Sequence, residues 1–250
     1  MTYDSYSLFY DQAMSDYRWC EDFLLKMIES KLKAHHSVLE LGCGTGRILE
    51  LVKDEFTCSS GVDISPAMLK FAKQRLPETD FYEQDMRYFK IDRSFDLILC
   101  LFDSINHLNS FDGWERTFRL IASHLAPAGV CIFDMNTPQR LARLSLFPPM
   151  IETFGEDDLL ILDVLEDEEN PDHSGLFHFN ITIFKQLVDD TYQRYSERIL
   201  EFAPTVEQVL ESLLSIFSKV EIYDEDEQLV GEDISLEEAR EGRLFFVCER

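Results

Sequence analysis

Basic residues are scarce in this chain: 23 Lys and Arg stand against 48 Asp and Glu over 250 residues, a net charge of -25. A surface of that sign repels the phosphate backbone of nucleic acids and anionic membranes alike, which sets both aside as partners. Long apolar runs are missing too. None approaches the roughly 20 residues that a membrane span needs, and the amino terminus lacks the charged-then-apolar pattern of a secretion signal. A cytoplasmic protein is the resulting expectation. The six cysteines include no C-x-x-C pair, and several lie in apolar runs where thiols behave as small hydrophobes, so reduced structural thiols and no metal are expected. The acid is concentrated between Glu152 and Asp172 and between Glu221 and Glu241, where it reads either as solvated surface or as a field for cationic partners such as amines.

Glycine is sparse as well, at ten residues, yet three of them alternate in Val38-Leu39-Glu40-Leu41-Gly42-Cys43-Gly44-Thr45-Gly46-Arg47-Ile48. An apolar strand there meets an acid, turns, and enters a helix. Glycine takes positive φ and lets a ligand approach the backbone, although an empty tight turn would use the same residues. Downstream, strand-like runs alternate with helical ones. Thr57 to Asp63 reads as a strand ending in an acid, Ser65-Pro66 starts a helix with a cap and a proline in its first turn, and Asp80 to Gln84 is a short strand. Phe95 to Phe102 and Val130 to Met135 are continuous apolar runs, as expected of strands buried on both faces. The spacing predicts βαβ units, a parallel sheet and helices on both sides, with ligands at the carboxyl ends of the strands. Glu40, Asp63, Asp85 and Asp103 all fall at such ends.

From about Met150 the rhythm changes. Leu159 to Glu166, Gly175 to Lys185 and Thr191 to Phe202 read as strands, the second with one apolar and one wet face, a small antiparallel insertion over 150–202. Helical spacing resumes at Val206 to Phe217, followed by strands at Val220 to Tyr223 and Leu244 to Cys248. Residues 1–149 and 203–250 would then form the main unit, with an amino-terminal helical cap, and the insertion is either a substrate lid or a dimer surface. Monomer and homodimer both stay open.

An acid 17 residues beyond Gly46, Asp63, can accept both hydroxyls of an adenosine ribose, whether the ligand is a nicotinamide dinucleotide or S-adenosylmethionine. A dinucleotide, however, needs G-x-G-x-x-G beneath its pyrophosphate, and here the order is G-x-G-x-G with Arg47 next. Glu40 would oppose a pyrophosphate but suits an ammonium and a sulfonium.

The segments Leu39 to Gly46, Gly61 to Leu69, Gln84-Asp85-Met86 and Phe95 to Cys100 resemble the successive motifs of class I S-adenosylmethionine-dependent methyltransferases. Leu125-Ala126-Pro127-Ala128-Gly129 resembles their L-x-P-G-G turn, with Ala128 departing from it. The resemblance implies an α/β, doubly wound, seven-stranded and mostly parallel Rossmann-like sheet with the small antiparallel β insertion. It also implies that Gly42, Gly44 and Gly46 line the methionine part of S-adenosyl-L-methionine, that Glu40 faces its ammonium and that Asp63 holds the ribose. Ile64 and Met86 would pack beside the adenine, Asp85 would accept from its amine, and Leu101 would present backbone near the transferred methyl. More narrowly, Tyr10-Asp11 with Tyr17 beyond it, and Asp103-Ser104-Ile105-Asn106-His107-Leu108, are similar to a small-molecule subgroup that includes amino-sugar N-methyltransferases. In that subgroup the amino-terminal aromatics, here Tyr10 and Tyr17, close over the cofactor, and His107 is a candidate base. The subgroup's further active-site tyrosine aligns with Met14.

Methyl transfer asks for in-line alignment and a neutral nucleophile, and imidazole can take the proton of an amine near neutral pH. His107 follows the fourth strand's carboxyl end, and Asp103 could orient an amine or hydroxyl. The expectation is a methyltransferase acting on nitrogen or oxygen of a small molecule, amines among the candidates. The alternative is a cofactor-binding regulatory protein of the same fold without turnover.

Overall fold

The computed structural model describes residues 6–13, 20–33, 35–155, 157–167, 175–189 and 191–250. Its main sheet has the strand order β10-β11-β5-β4-β1-β2-β3. In chain order these are β1 (Ser37–Leu41), β2 (Cys58–Asp63), β3 (Asp80–Glu83), β4 (Phe95–Cys100), β5 (Leu125–Asn136), β10 (Lys219–Tyr223) and β11 (Arg243–Glu249). The strands from β3 to β5 pair in parallel, while β11 runs antiparallel to β5 and β10. From β1 the chain winds outward to β3 and then returns to lay β4 on the other side of β1. The carboxyl ends of β1 and β4 therefore open a crevice at this reversal, where such sheets bind ligands.

Local chemistry explains the elements. Both faces of β4 are covered, so Phe95, Leu97, Ile98, Leu99 and Cys100 are buried to the last atom, and the one acid in the run has a task. Asp96 accepts from the His36 and Ser37 amides at 3.0 and 2.9 Å, tying the start of β1 to β4. On one face lie α5 (Phe111–His124) and α7 (Val206–Leu214), with Trp114, Phe118, Val209 and Leu213 in the core. The other face is covered by α2 (Glu21–Lys31), α3 (Arg47–Val52) and α4 (Pro66–Arg75) through Phe23, Leu24, Ile48, Leu49 and Leu69. Each such side chain contributes roughly 1.5–3 kcal/mol on burial. Ser65 caps α4 by accepting from the Met68 amide at 3.2 Å. A further helix, α6 (Pro138–Ser145), was not anticipated; Thr137 caps it as Ser65 caps α4, with proline again in the first turn.

The insertion is a separate four-stranded antiparallel sheet, β6 (Met150–Phe154), β7 (Asp158–Glu166), β8 (Leu176–Gln186) and β9 (Tyr192–Phe202), paired in that order. Its apolar face carries Leu160, Ile181, Ile183 and Ile199. Phe9 packs on that face, with its ring 4.9 Å from Tyr195 and 6.3 Å from Phe154. The short helix α1 (Tyr10–Ala13) follows at once, so the amino-terminal cap is seated on the insertion. Met14, Tyr17 and Trp19 lie outside the described residues. All six cysteines are free thiols, and Cys58 alone is exposed.

Candidate active site

The turn after β1 is fastened to its neighbour, with the Gly42 and Cys43 amides both donating to the Val62 carbonyl of β2, at 2.8 and 3.1 Å. Gly42 stands at φ +68°, and a Cβ there would lie 2.7 Å from both Cβ and Oγ of Ser104, in the turn after β4. Only glycine allows the two turns to come so close. Gly46 differs from its two partners: its φ of +79° begins α3, and a Cβ would meet Ala72 of α4 at 3.4 Å. The sequence expectation put Gly46 against the cofactor, whereas here its left-handed backbone starts α3, a Cβ would have ordinary room beside Ala72, and it does not line either pocket.

A cavity of about 480 Å³ runs from this turn to the apolar face of the insertion sheet. That size suits a ligand pocket, which typically spans roughly 300–1,000 Å³. Among the expected site residues, Tyr10, Gly42, Gly44, Asp63, Ile64, Asp85, Met86, Asp103 and His107 line it. A side pocket of about 40 Å³ shares Tyr10, Gly42 and Gly44 with it and adds Glu40, Arg47 and Leu101. Tyr17 lies outside the described residues.

Glu40 is 3% exposed, and its Oε2 has no hydrogen-bond partner among the described residues. Burial pushes its carboxyl well above the ordinary value, opposed by a bond from the Leu49 amide. Asp63 accepts from the Gly44 amide at 2.7 Å and from the Ser65 amide at 2.8 Å, one on each oxygen. Burial still raises it, against the pull of three backbone amides, those of Ser65, Gly44 and Ile64. Asp85 is less available than the sequence suggested. Burial opposes its ionisation, but Arg87 grips both oxygens through Nε at 3.0 and 3.1 Å and Nη2 at 2.5 Å, and holds it below the usual carboxylate range.

Beyond β4 the backbone is left-handed at Phe102 and Asp103, with φ of +56° and +50°. This sharp turn aims the Asp103 amide at the Asp134 carboxylate, 3.1 Å away, and its side chain at Arg243 Nη2, 2.5 Å away. The Asp103 charge is thus already matched, and only the lone pairs that Arg243 and Glu201 leave could orient an acceptor. His107 ends the 3₁₀ turn Ser104–His107 and donates to the Leu200 carbonyl of β9. Burial pushes its pKa below the ordinary imidazole value, against the pull of Asp103.

Several residues escaped the sequence reading. Asp11 of α1 accepts from Thr45 Oγ1 at 2.6 Å and pairs with Arg75, so the cap is pinned to the glycine turn. Glu201, 2% exposed on β9, accepts from Asn136 Nδ2 at 3.0 Å and donates to Asp103; burial and Asp103 keep its carboxyl well above the usual value. The available signal was its phase, since Ile199 and Glu201 share the buried face of an alternating strand.

Residues 38–129 match the family described as "Methyltransferase domain". A protein of Bacillus subtilis (strain 168) named "Putative methyltransferase YqeM" is 30% identical over 182 residues, 71% of this chain and 71% of its own length. The chain belongs to the S-adenosylmethionine-dependent methyltransferases. The dTDP-3-amino-3,4,6-trideoxy-alpha-D-glucopyranose N,N-dimethyltransferase of Streptomyces venezuelae is 31% identical over 131 residues, 52% of this chain; the match spans about half of that relative's length, 55%. The crystal structure of a S-adenosylmethionine-dependent methyltransferase from Clostridium acetobutylicum ATCC 824 shares the fold, with a TM-score of 0.81 over 99% of this chain and 98% of its own, at 24% identity.

The residues of this methyltransferase fit that cofactor on their own chemistry. The side pocket carries one buried acid with an unfilled acceptor, Glu40, which an ammonium would meet, and one arginine, Arg47, which also donates to the Asp11 carbonyl at 3.3 Å. A Cβ on Gly44 would meet nothing within 4 Å, so its outer side is open to a ligand.

Proposed function

We propose that the protein transfers a methyl group from S-adenosylmethionine to an amine nitrogen of a small molecule held between the glycine turn and the insertion sheet. The observation that carries this reading is the continuous cavity from Gly42 to Glu201, which has room for a cofactor and a compact acceptor and has His107 in its wall. Glu40 and Arg47 would hold the methionine end, Asp63 the ribose, and Ile64 and Met86 the adenine, with Asp85 at its edge. The cofactor supplies a sulfonium-bound methyl group that departs in a direct displacement.

His107 then has one task. Its lowered pKa keeps the imidazole neutral at physiological pH, ready to take a proton from an acceptor ammonium or hydroxyl. Asp103, paired with Arg243, pulls the other way and favours the charged ring once the proton has been taken. We assign the insertion sheet, within 150–202, to the acceptor side, and the main unit, within 1–149 and 203–250, to the cofactor. The amine preference is supported by the name of the Streptomyces venezuelae relative.

The test is methyl transfer from labelled S-adenosylmethionine to a panel of amino sugars, alkyl amines and phenols. Labelled N-methyl product supports the reading. S-adenosylhomocysteine binding without any labelled product across the panel would favour the regulatory alternative.

A further inference from the structure

β9 ends the strand order of the insertion sheet, so one of its edges pairs with no strand. A bare edge leaves backbone carbonyls that need donors. The 3₁₀ turn Ser104–His107 supplies two of them. Asn106, fully buried, donates from Nδ2 to the Phe202 carbonyl at 3.1 Å, and His107 donates to the Leu200 carbonyl, two residues earlier and therefore on the same edge.

The turn is anchored on its other sides as well. Ser104 Oγ donates to the Leu101 carbonyl at 2.7 Å and lies 3.3 Å from the Gly42 carbonyl, which ties the turn to the glycine loop. Asn106 Nδ2 also donates to the Asn136 carbonyl at 3.0 Å, and its Oδ1 accepts from the Asn136 amide at 3.0 Å, at the end of β5. Two donors and one acceptor on so short a side chain are a set that Asp, Ser or Leu cannot offer. Asn106 thus clamps the insertion sheet to the main sheet.

The clamp sets the state of its neighbour in sequence. A carbonyl only accepts, so the His107 nitrogen bonded to Leu200 carries a proton. That nitrogen is Nε2, since Nδ1 makes no hydrogen bond among the described residues. A neutral imidazole has one such proton, which leaves the basic lone pair on Nδ1 of a ring that lines the cavity.

We propose that Asn106 is a positioning residue for the base: by clamping β9 to the end of β5 it sets the Leu200 carbonyl against Nε2, so that Nδ1 takes the acceptor's proton. This rests on the methyl-transfer role of His107 argued above, and it assigns the working atom and what holds it.

The experiment reads the tautomer directly, in long-range proton–nitrogen spectra of protein labelled at its imidazole nitrogens and saturated with S-adenosylhomocysteine. Signals missing from His107→Gln identify His107, and exposed His36 gives the unconstrained ratio of the two neutral forms. In wild type the excess of the Nε2–H form at His107 should be roughly tenfold or more above that of His36, the ratio expected of about one hydrogen bond. Asn106→Ala should bring the ratio back toward that of His36 and lower kcat for the best amine of the acceptor panel by roughly tenfold to a hundredfold, with S-adenosylhomocysteine affinity within about twofold. Asn106→Ser, which keeps one donor, should fall between the two and serves where the alanine variant does not fold. A wild-type ratio no larger than that of His36 would overturn the proposal without any variant, as would an undiminished ratio in the folded variants. Failure of S-adenosylhomocysteine itself to bind would instead sink the methyltransferase reading, whichever tautomer His107 holds.

Discussion

Replacing Arg243 by methionine should damage the protein in a way that depends on pH. The guanidinium is 13% exposed and bridges two acids, Asp134 through Nη1 and Asp103 through Nη2, both at 2.5 Å. Breaking a buried ion pair by removing one partner costs about 3–5 kcal/mol, because the remaining charge has lost its solvent and its counterion. For a chain of this length each kcal/mol moves Tm by roughly 2–4 °C, so a drop of about 6–20 °C is expected.

The sign of the pH effect follows from the two acids. Burial opposes Asp103 ionisation, but Arg243 holds its pKa below the usual value; the stability it contributes is present above the unfolded pKa and lost as pH falls through the folded one. Asp134 is pushed up to about 6 by burial, so its contribution is complete below the unfolded pKa and disappears as pH rises through about 6. Without the arginine both acids follow the second pattern. Urea unfolding at pH 8 and at pH 5 should therefore show a wild-type advantage of several kcal/mol that narrows clearly at the lower pH. An equal gap at the two pH values, or one below about 1 kcal/mol at pH 8, would refute this account of the cluster.

Ala128, where the resembling families carry glycine, sits at φ +64°; Ala128→Gly should raise stability by about 0.5 kcal/mol or more, read from the urea midpoint, and a loss would contradict the strain assigned there. Gly42→Ala forces a Cβ to within 2.7 Å of Ser104 and should weaken S-adenosylhomocysteine binding at least roughly tenfold, with partial recovery in the double variant carrying Ser104→Gly. His107→Ala should lower kcat by about 10²–10⁴ while leaving cofactor affinity alone, and the wild-type rate should hold as pH drops below the ordinary imidazole value, since a depressed pKa keeps the base neutral there. Full activity in His107→Ala would remove it from the mechanism.

Periodicity and caps are local, and they were legible. The alternation in Phe177, Phe179, Ile181 and Ile183 announced β8, and the buried run Phe95 to Cys100 announced β4, because neighbours in sequence determine each face. Thr137-Pro138 carries the same start signal as Ser65-Pro66, but α6 is only 8 residues long and offers just Leu141, Ala142 and Leu144 on its apolar side, too short a run for periodicity to stand out. Partnerships across the chain were not legible. Arg243 meets Asp103 from 140 residues away, and the placement of Glu201 beside Asn136 depends on how two sheets dock. Gly46 shows the limit of motif spacing: three glycines at alternate positions look alike in sequence, while one of them starts a helix with its left-handed backbone and lines neither pocket. Asp85 shows another, since the grip of Arg87 two residues on depends on a loop conformation that no pattern of residue types specifies.

The most direct test compares S-adenosylmethionine binding by wild type and Glu40→Gln in titration calorimetry, with urea unfolding of the two free proteins alongside. Glu40 is a buried acid whose Oε2 is unfilled, so the substitution should weaken binding at least roughly tenfold without costing the free protein stability. Equal affinity in the two proteins, or no binding by the folded wild type, would contradict the claim that this turn is built around a positively charged nucleoside.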